Sequence, residues 1–335
     1  MKERVTLSAL ERPDPTRWCY ASGVVSVRET ELLEKDFFEE LLLARDSATV
    51  QALMRETLYA DYFAEGASRE VYLRSLDLFF QHELAALEGV SPGRFPFQLF
   101  EFRERFRDLR EKVFTPLAAG ETEWLLAQAT MHELCLLVTG QEKVCALDEH
   151  FEALEESRSQ PRSVGLSNLL DSSFLALLLE WKSQAQSPVL EEFVEAYVRL
   201  KATGALYRNR RRGVSLDHLR RFFVLGALKS PEADAALRAE DEGRALFWAF
   251  LPDGIRDTLK EIGEDAIAEH FELIGDDFLA GLTLPLRRTP FGPERVFAYC
   301  MGLSWQNLNL RLCLGAVADN LAPEEVAPRL RLRYV

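Results

Sequence analysis

Residues 290–317, PFGPERVFAYCMGLSWQNLNLRLCLGAV, constrain the fold most. After Pro293 the stretch runs on without another proline. Val296, Cys300, Leu303, Asn307, Leu310, Leu314 and Val317 follow one another in alternating steps of four and three. That spacing is the seam of a helix facing another helix, and Pro293 stands where a first helical turn tolerates proline. Tyr299, Leu312 and Cys313 widen the apolar face beyond a two-stranded seam, which predicts a long helix inside a bundle. Asn307 is the one polar member of the seam. A buried amide must find a hydrogen-bond partner or cost stability, and a single one at a seam sets register without implying catalysis.

The same period runs through most of the chain. Residues 30–44 place Leu33, Phe37, Leu41 and Ala44 on one stripe, and Ser47 is positioned to cap the next helix. Ser68 precedes a helix carrying Tyr72, Leu76, Phe79 and Leu87, with Gly89 as its expected stop. SPGRFPF reads as a loop, and Leu99, Phe102, Phe106, Leu109 and Val113 mark an amphipathic helix broken at Thr115–Pro116. Helices are expected over about 121–139 and 143–156, then from Ser187–Pro188 to Gly204, and over about 256–273. FLPDG reads as a turn. Only ASGVVSVRE leaves strand and helix both open. The expected class is all-α, with approximate divisions 1–115, 116–230 and 231–335.

Composition narrows the function. Acidic residues number 54 against 40 basic ones, a net charge of −14. Duplex nucleic acid requires a basic footprint, so no nucleic-acid partner is expected. Five cysteines at wide spacings, without CxxC, argue against a disulfide framework and a thiolate zinc site, and fit a cytoplasmic protein with reduced thiols. No apolar run is long enough to span a bilayer, so membrane association is expected only through a partner.

Motifs for chemistry are sparse. His82, His132, His150, His218 and His270 form no H-E-x-x-H, and no phosphate loop, dinucleotide fingerprint or nucleophile elbow occurs. No catalytic residue, metal or cofactor is assigned. Arg208, Arg210, Arg211 and Arg212, read as a basic loop, are the sharpest charge feature. They are either a docking point for an acidic partner or a solvated loop. FPFQLFEFRERF carries five phenylalanines, read first as core and second as a partner groove.

The C-terminal stretch with Asn309, Leu310 and Arg311 resembles the last helix of the rotor-ring adaptor subunit of V/A-type ATPases. That subunit is called C in bacterial and archaeal complexes and d in eukaryotic ones. Ser304, Trp305 and Gln306 stand where that family usually has charged residues. Residues 20–64 are similar to the family's opening, with Tyr20, Arg28, Phe37, Leu53, Thr57 and Tyr59 at matching places. The middle, about 90–280, resembles it in pattern alone.

The resemblance implies a funnel-like array of three similar helical bundles in pseudo-threefold arrangement. It also implies a non-catalytic central-stalk subunit, one copy per complex and monomeric alone. Such a subunit joins the membrane rotor ring to the central-axle subunits and passes torque for ATP-linked proton or sodium transport. It would lie at the cytoplasmic face of the membrane, held there by the ring. Two other classes stay open: an unrelated all-helical scaffold or regulator, and a helical hydrolase or metal-dependent oxidase.

Overall fold

The computed structural model describes residues 15–44, 46–63, 68–118, 162–183, 187–214, 244–262 and 264–331. Among these every regular element is helical. The expected helices at 121–139 and 143–156, the 230/231 division, and His132, His150 and His218 lie outside the described residues. The chain groups into two compact units, one around Gln98–Ile267 and the other around Leu10–Phe97 with Ala268–Val335.

The second unit contains α1 (Cys19–Glu29), α2 (Lys35–Leu42), α3 (Ser47–Met54) and α4 (Arg69–Val90). ASGVVSVRE is therefore helical. α2 starts later than the stripe suggested and buries Phe38, Leu41 and Leu42, while Phe37 is half-buried. Asp46, not Ser47, caps α3: its carboxylate accepts the Thr49 N–H at 2.8 Å. α4 runs one residue past Gly89.

The first unit holds most of α5 (Phe95–Ala118), together with α6 (Arg162–Ser183), α7 (Pro188–Arg211), α8 (Arg244–Phe250) and α9 (Asp253–Ile262). α5 begins inside the expected loop and passes Thr115–Pro116, so the 115/116 division falls within a helix. α5 and α6 run antiparallel: Phe102 meets Trp181 edge-on, Phe106 meets Phe174, and Arg110 pairs with Asp171. Phe95, Phe97, Phe100, Phe102 and Phe106 are all buried, so the phenylalanine run is core. α6 and α7 are antiparallel too, with Lys182–Glu195 at 2.7 Å near the joint and Asn168–Asn209 at 2.7 Å at the far end. Ser187 and Pro188 open α7 as a cap and first-turn proline. The Arg199 guanidinium donates to the carbonyls of Ala249, Phe250 and Leu251 at 3.0–3.4 Å, closing the end of α8.

The segment expected to be one helix over 256–273 is divided between α9 and α10 (Glu264–Thr283). α10 leads through a 3-10 turn, Leu284–Arg288, to α11 (Pro293–Asp319), and α12 (Pro323–Val326) follows.

α11 is the axis of the second unit. α1 lies parallel to it: the Gly292 N–H donates to Ser22 Oγ, Arg295 reaches Ser26 and Glu29, and Gln306 reaches Leu33. α4 lies antiparallel, so Arg69 meets Asp319, Leu73 meets Arg311, and Leu76 meets Asn307. Val296, Phe297, Ala298, Tyr299, Cys300 and Leu303 have no exposed surface. A helix buried this nearly all round is a core helix, not a one-sided surface helix. Each large side chain so enclosed contributes about 1.5–3 kcal/mol. α11 ends where Asn320 turns left-handed (φ 53), a conformation asparagine tolerates.

Candidate functional site

The seam lies in the interior. Val296, Cys300, Leu303 and Leu310 are fully enclosed, Asn307 and Leu314 are buried, and Val317 is half-buried. Tyr299 and Cys313 are buried beside it, and Leu312 is half-buried.

Across the middle of α11 runs a directional chain of hydrogen bonds. Leu33 N–H donates to Gln306 Oε1 at 2.8 Å. Gln306 Nε2 donates to Tyr59 Oη at 3.0 Å. Tyr59 Oη donates to Asn307 Oδ1 at 2.6 Å, and Asn307 Nδ2 donates to the Leu76 carbonyl at 3.2 Å. The chain ties the segment after α1, the turn after α3, and α4 to one turn of α11. Tyr59 is fully buried with its ring against Phe79. Burial pushes the Tyr59 phenol well above its ordinary range, so it stays a neutral donor. Gln306, one of the departures from the family pattern, is thus a link in this chain. Its signal was an amide beside Asn307 on a buried helix; Tyr59 stands too far off in sequence to be paired with either by spacing.

Asn309 and Arg311 are occupied in the same manner. Asn309 Oδ1 accepts the Arg331 N–H at 2.8 Å, and Asn309 Nδ2 donates to the Arg331 carbonyl at 3.3 Å. Arg311 donates to the Leu73 carbonyl at 3.2 Å and pairs with Asp77.

About two turns towards the start of α11 the polar groups are less complete. Arg28 approaches Glu83 Oε1 at 3.4 Å, while Glu83 Oε2 and Tyr299 Oη are buried with no hydrogen-bond partner among the described residues. Burial raises the Glu83 carboxyl, Arg28 opposes the rise, and Glu31 adds to it. Burial also raises the Tyr299 phenol and the Cys300 thiol, and it pushes the Cys313 thiol up to about 12. Thiols held protonated in this way are poor nucleophiles.

The arginine stretch is not a loop. Arg208, Arg210 and Arg211 belong to the last turns of α7, and Arg212 caps it. α7 passes through the buried Gly204 and ends at Gly213, whose φ of +72 supplies the left-handed turn. Arg208 lies 3.8 Å from Asp171. Arg210, Arg211 and Arg212 are exposed and, among the described residues, unpaired. Cationic groups at a helix C-terminus are favourable there in any case. Asn209 between them is buried against Asn168 and the Ala205 carbonyl. These arginines belong to the first unit, and Asn309 and Arg311 to the second.

His82 is exposed and shares a 2.8 Å hydrogen bond with Tyr62. Among the described residues, no group of three His, Cys, Asp or Glu is arranged to hold a metal, and no helix is long and apolar enough to cross a membrane. No family model matches the chain, and no curated protein matches it.

Proposed function

We propose that this chain is an all-helical scaffold whose work is done through contacts with other proteins. One observation carries the reading. The polar side chains at the centre of the core helix are committed to cross-links: Gln306, Asn307, Asn309 and Arg311 each bond main-chain groups of another segment. Such links resist sliding of one helix along another, which suits a part that must carry load or hold partners apart.

Within that class, we propose the central-stalk adaptor of a rotary V/A-type ATPase as the specific assembly. The two stretches on which the sequence resemblance rests lie in one unit, joined by the Tyr59–Asn307 hydrogen bond, and the sequence resemblance alone carries this narrower reading. The reading brings with it three similar bundles in a funnel, a seat on the rotor ring and a socket for the axle. The exposed ends of Arg210, Arg211 and Arg212 then offer charge that would orient an acidic partner surface.

Co-elution of the purified full chain with rotor rings, and separately with central-axle subunits, over a range of salt concentrations tests both levels. A complex that joins ring and axle only when this chain is present is expected for the adaptor. Binding to neither, with all components folded, removes the adaptor and leaves the scaffold class. A turnover found for the isolated chain would overturn both.

A further inference from the structure

Arg331 is held as a ligand is held. Its backbone N–H and carbonyl are both read by the buried side chain of Asn309, at 2.8 and 3.3 Å. That is the pattern a neighbouring strand would offer, supplied here by one amide from a helix. Its side chain is read separately, with Arg331 Nε donating to Asp276 Oδ2 of α10 at 3.1 Å. Both side chains are largely enclosed, at 12% and 19% exposure. Arg331 Nη1 also donates to the Arg329 carbonyl at 3.0 Å, which curls the guanidinium back over its own segment. Leu330, which leads into the site, has extended backbone (φ −69, ψ 132) and is half-buried.

This arrangement discriminates. Asn309 requires an exposed peptide unit, which a helix would not present, and Asp276 requires a cation at the side-chain position. The grip is made of side-chain bonds and one ion pair, on a segment outside any helix. Segments held in this way open locally at lower cost than a core helix unfolds.

We propose that Asp276 and Asn309 form a receptor for an arginine carried on extended backbone. Arg331 fills it in the free chain, and an arginine-bearing extended segment of a partner protein takes the same place when this segment leaves. The C-terminal segment is then an internal competitor for the site that Asp276 and Asn309 form. The inference does not depend on which assembly the chain serves.

The test uses a fluorescent peptide with the sequence of residues 329–335, and a control peptide with its middle arginine replaced by alanine. Both are titrated by anisotropy against the full chain and against Arg331→Ala. The Arg331→Ala chain is expected to bind the peptide at least about tenfold more tightly than the unchanged chain does. At least about tenfold should be lost when Asp276→Asn is added or the control peptide is used. Equal binding to both chains, or binding indifferent to Asp276, overturns the proposal. Amide hydrogen exchange on the unchanged chain gives an independent check. The Arg331 N–H should exchange at least about a hundredfold faster than the amides of Cys300–Leu310. Exchange of both at one rate would mean that the segment leaves only when the protein unfolds, and would also overturn it.

Discussion

Tyr59 donates its phenolic proton to Asn307 across 2.6 Å, although 248 residues separate them in the chain. Tyr59→Phe leaves Gln306 Nε2 and Asn307 Oδ1 buried without a partner, and is expected to cost roughly 2–4 kcal/mol. Asn307→Ala leaves the Tyr59 hydroxyl proton without its acceptor, although Gln306 Nε2 still donates to the same oxygen, and takes the side-chain donor from the Leu76 carbonyl, at an expected cost of about 1–3 kcal/mol. Because the two share one bond, the double variant should cost less than the two losses combined. Urea unfolding of the four chains measures the coupling, and strict additivity would show that the bond contributes nothing.

Arg295 and Glu29 form a largely enclosed ion pair, 2.7 Å apart with side chains 12% and 8% exposed. Arg295 also donates to the Thr289 carbonyl and to Ser26. Arg295→Met removes the cation from beside a buried carboxylate and should destabilise by about 3–5 kcal/mol, while Arg295→Met with Glu29→Leu should recover much of that. Thermal unfolding checks the order. A double variant no more stable than the single one would place the defect in packing instead of charge.

Glu83 gives a dependence on pH. Its carboxyl is raised from 4.5 by burial, so the folded chain binds this proton more tightly than the unfolded chain does. The stability it confers is complete below about 4.5 and declines as pH rises through the folded value. Glu83→Gln, which mimics the protonated form, is expected to raise the melting temperature at neutral pH. The gain over the unchanged chain should vanish below about 4.5. A variant less stable at neutral pH would mean that the attraction of Arg28 outweighs burial.

Arg210, Arg211 and Arg212 replaced together by glutamate should leave helix content intact, since all three are exposed. The anionic end opposes the helix dipole, so a loss of about 1 kcal/mol is expected. Under the proposed function the larger effect is on assembly, which should weaken and lose its salt dependence. Co-elution unchanged at every salt concentration would remove these arginines from any interface.

Helix type was legible because the apolar period was strong, and α11 shows it from Val296 to Leu314. Helix ends were legible only where a residue acts locally, as Ser187 and Pro188 do at α7. A glycine ends a helix only where the backbone turns left-handed. Gly213 does so, whereas Gly204 sits in the buried interior of α7, and the sequence marks the two alike. The arginines therefore read as loop when they are helix. The need of Asn307 for a partner followed from its place on the seam. Its partners did not, because Tyr59 and Leu76 are supplied by tertiary packing. The partners of Gln306 and Asn309 were hidden for the same reason.

The antiparallel and parallel neighbours of α11 have a consequence for synthesis. α1 and α4 leave the ribosome early, but the amides that bond the Leu33 N–H and the Tyr59 hydroxyl lie 273 and 247 residues later. At ~5–20 residues per second the gap lasts roughly 10–50 s. Throughout that interval Phe38, Leu41, Leu76 and Phe79 lack the helix that encloses them. The apolar faces of the early helices of this unit thus stay uncovered until a single late helix arrives to close them.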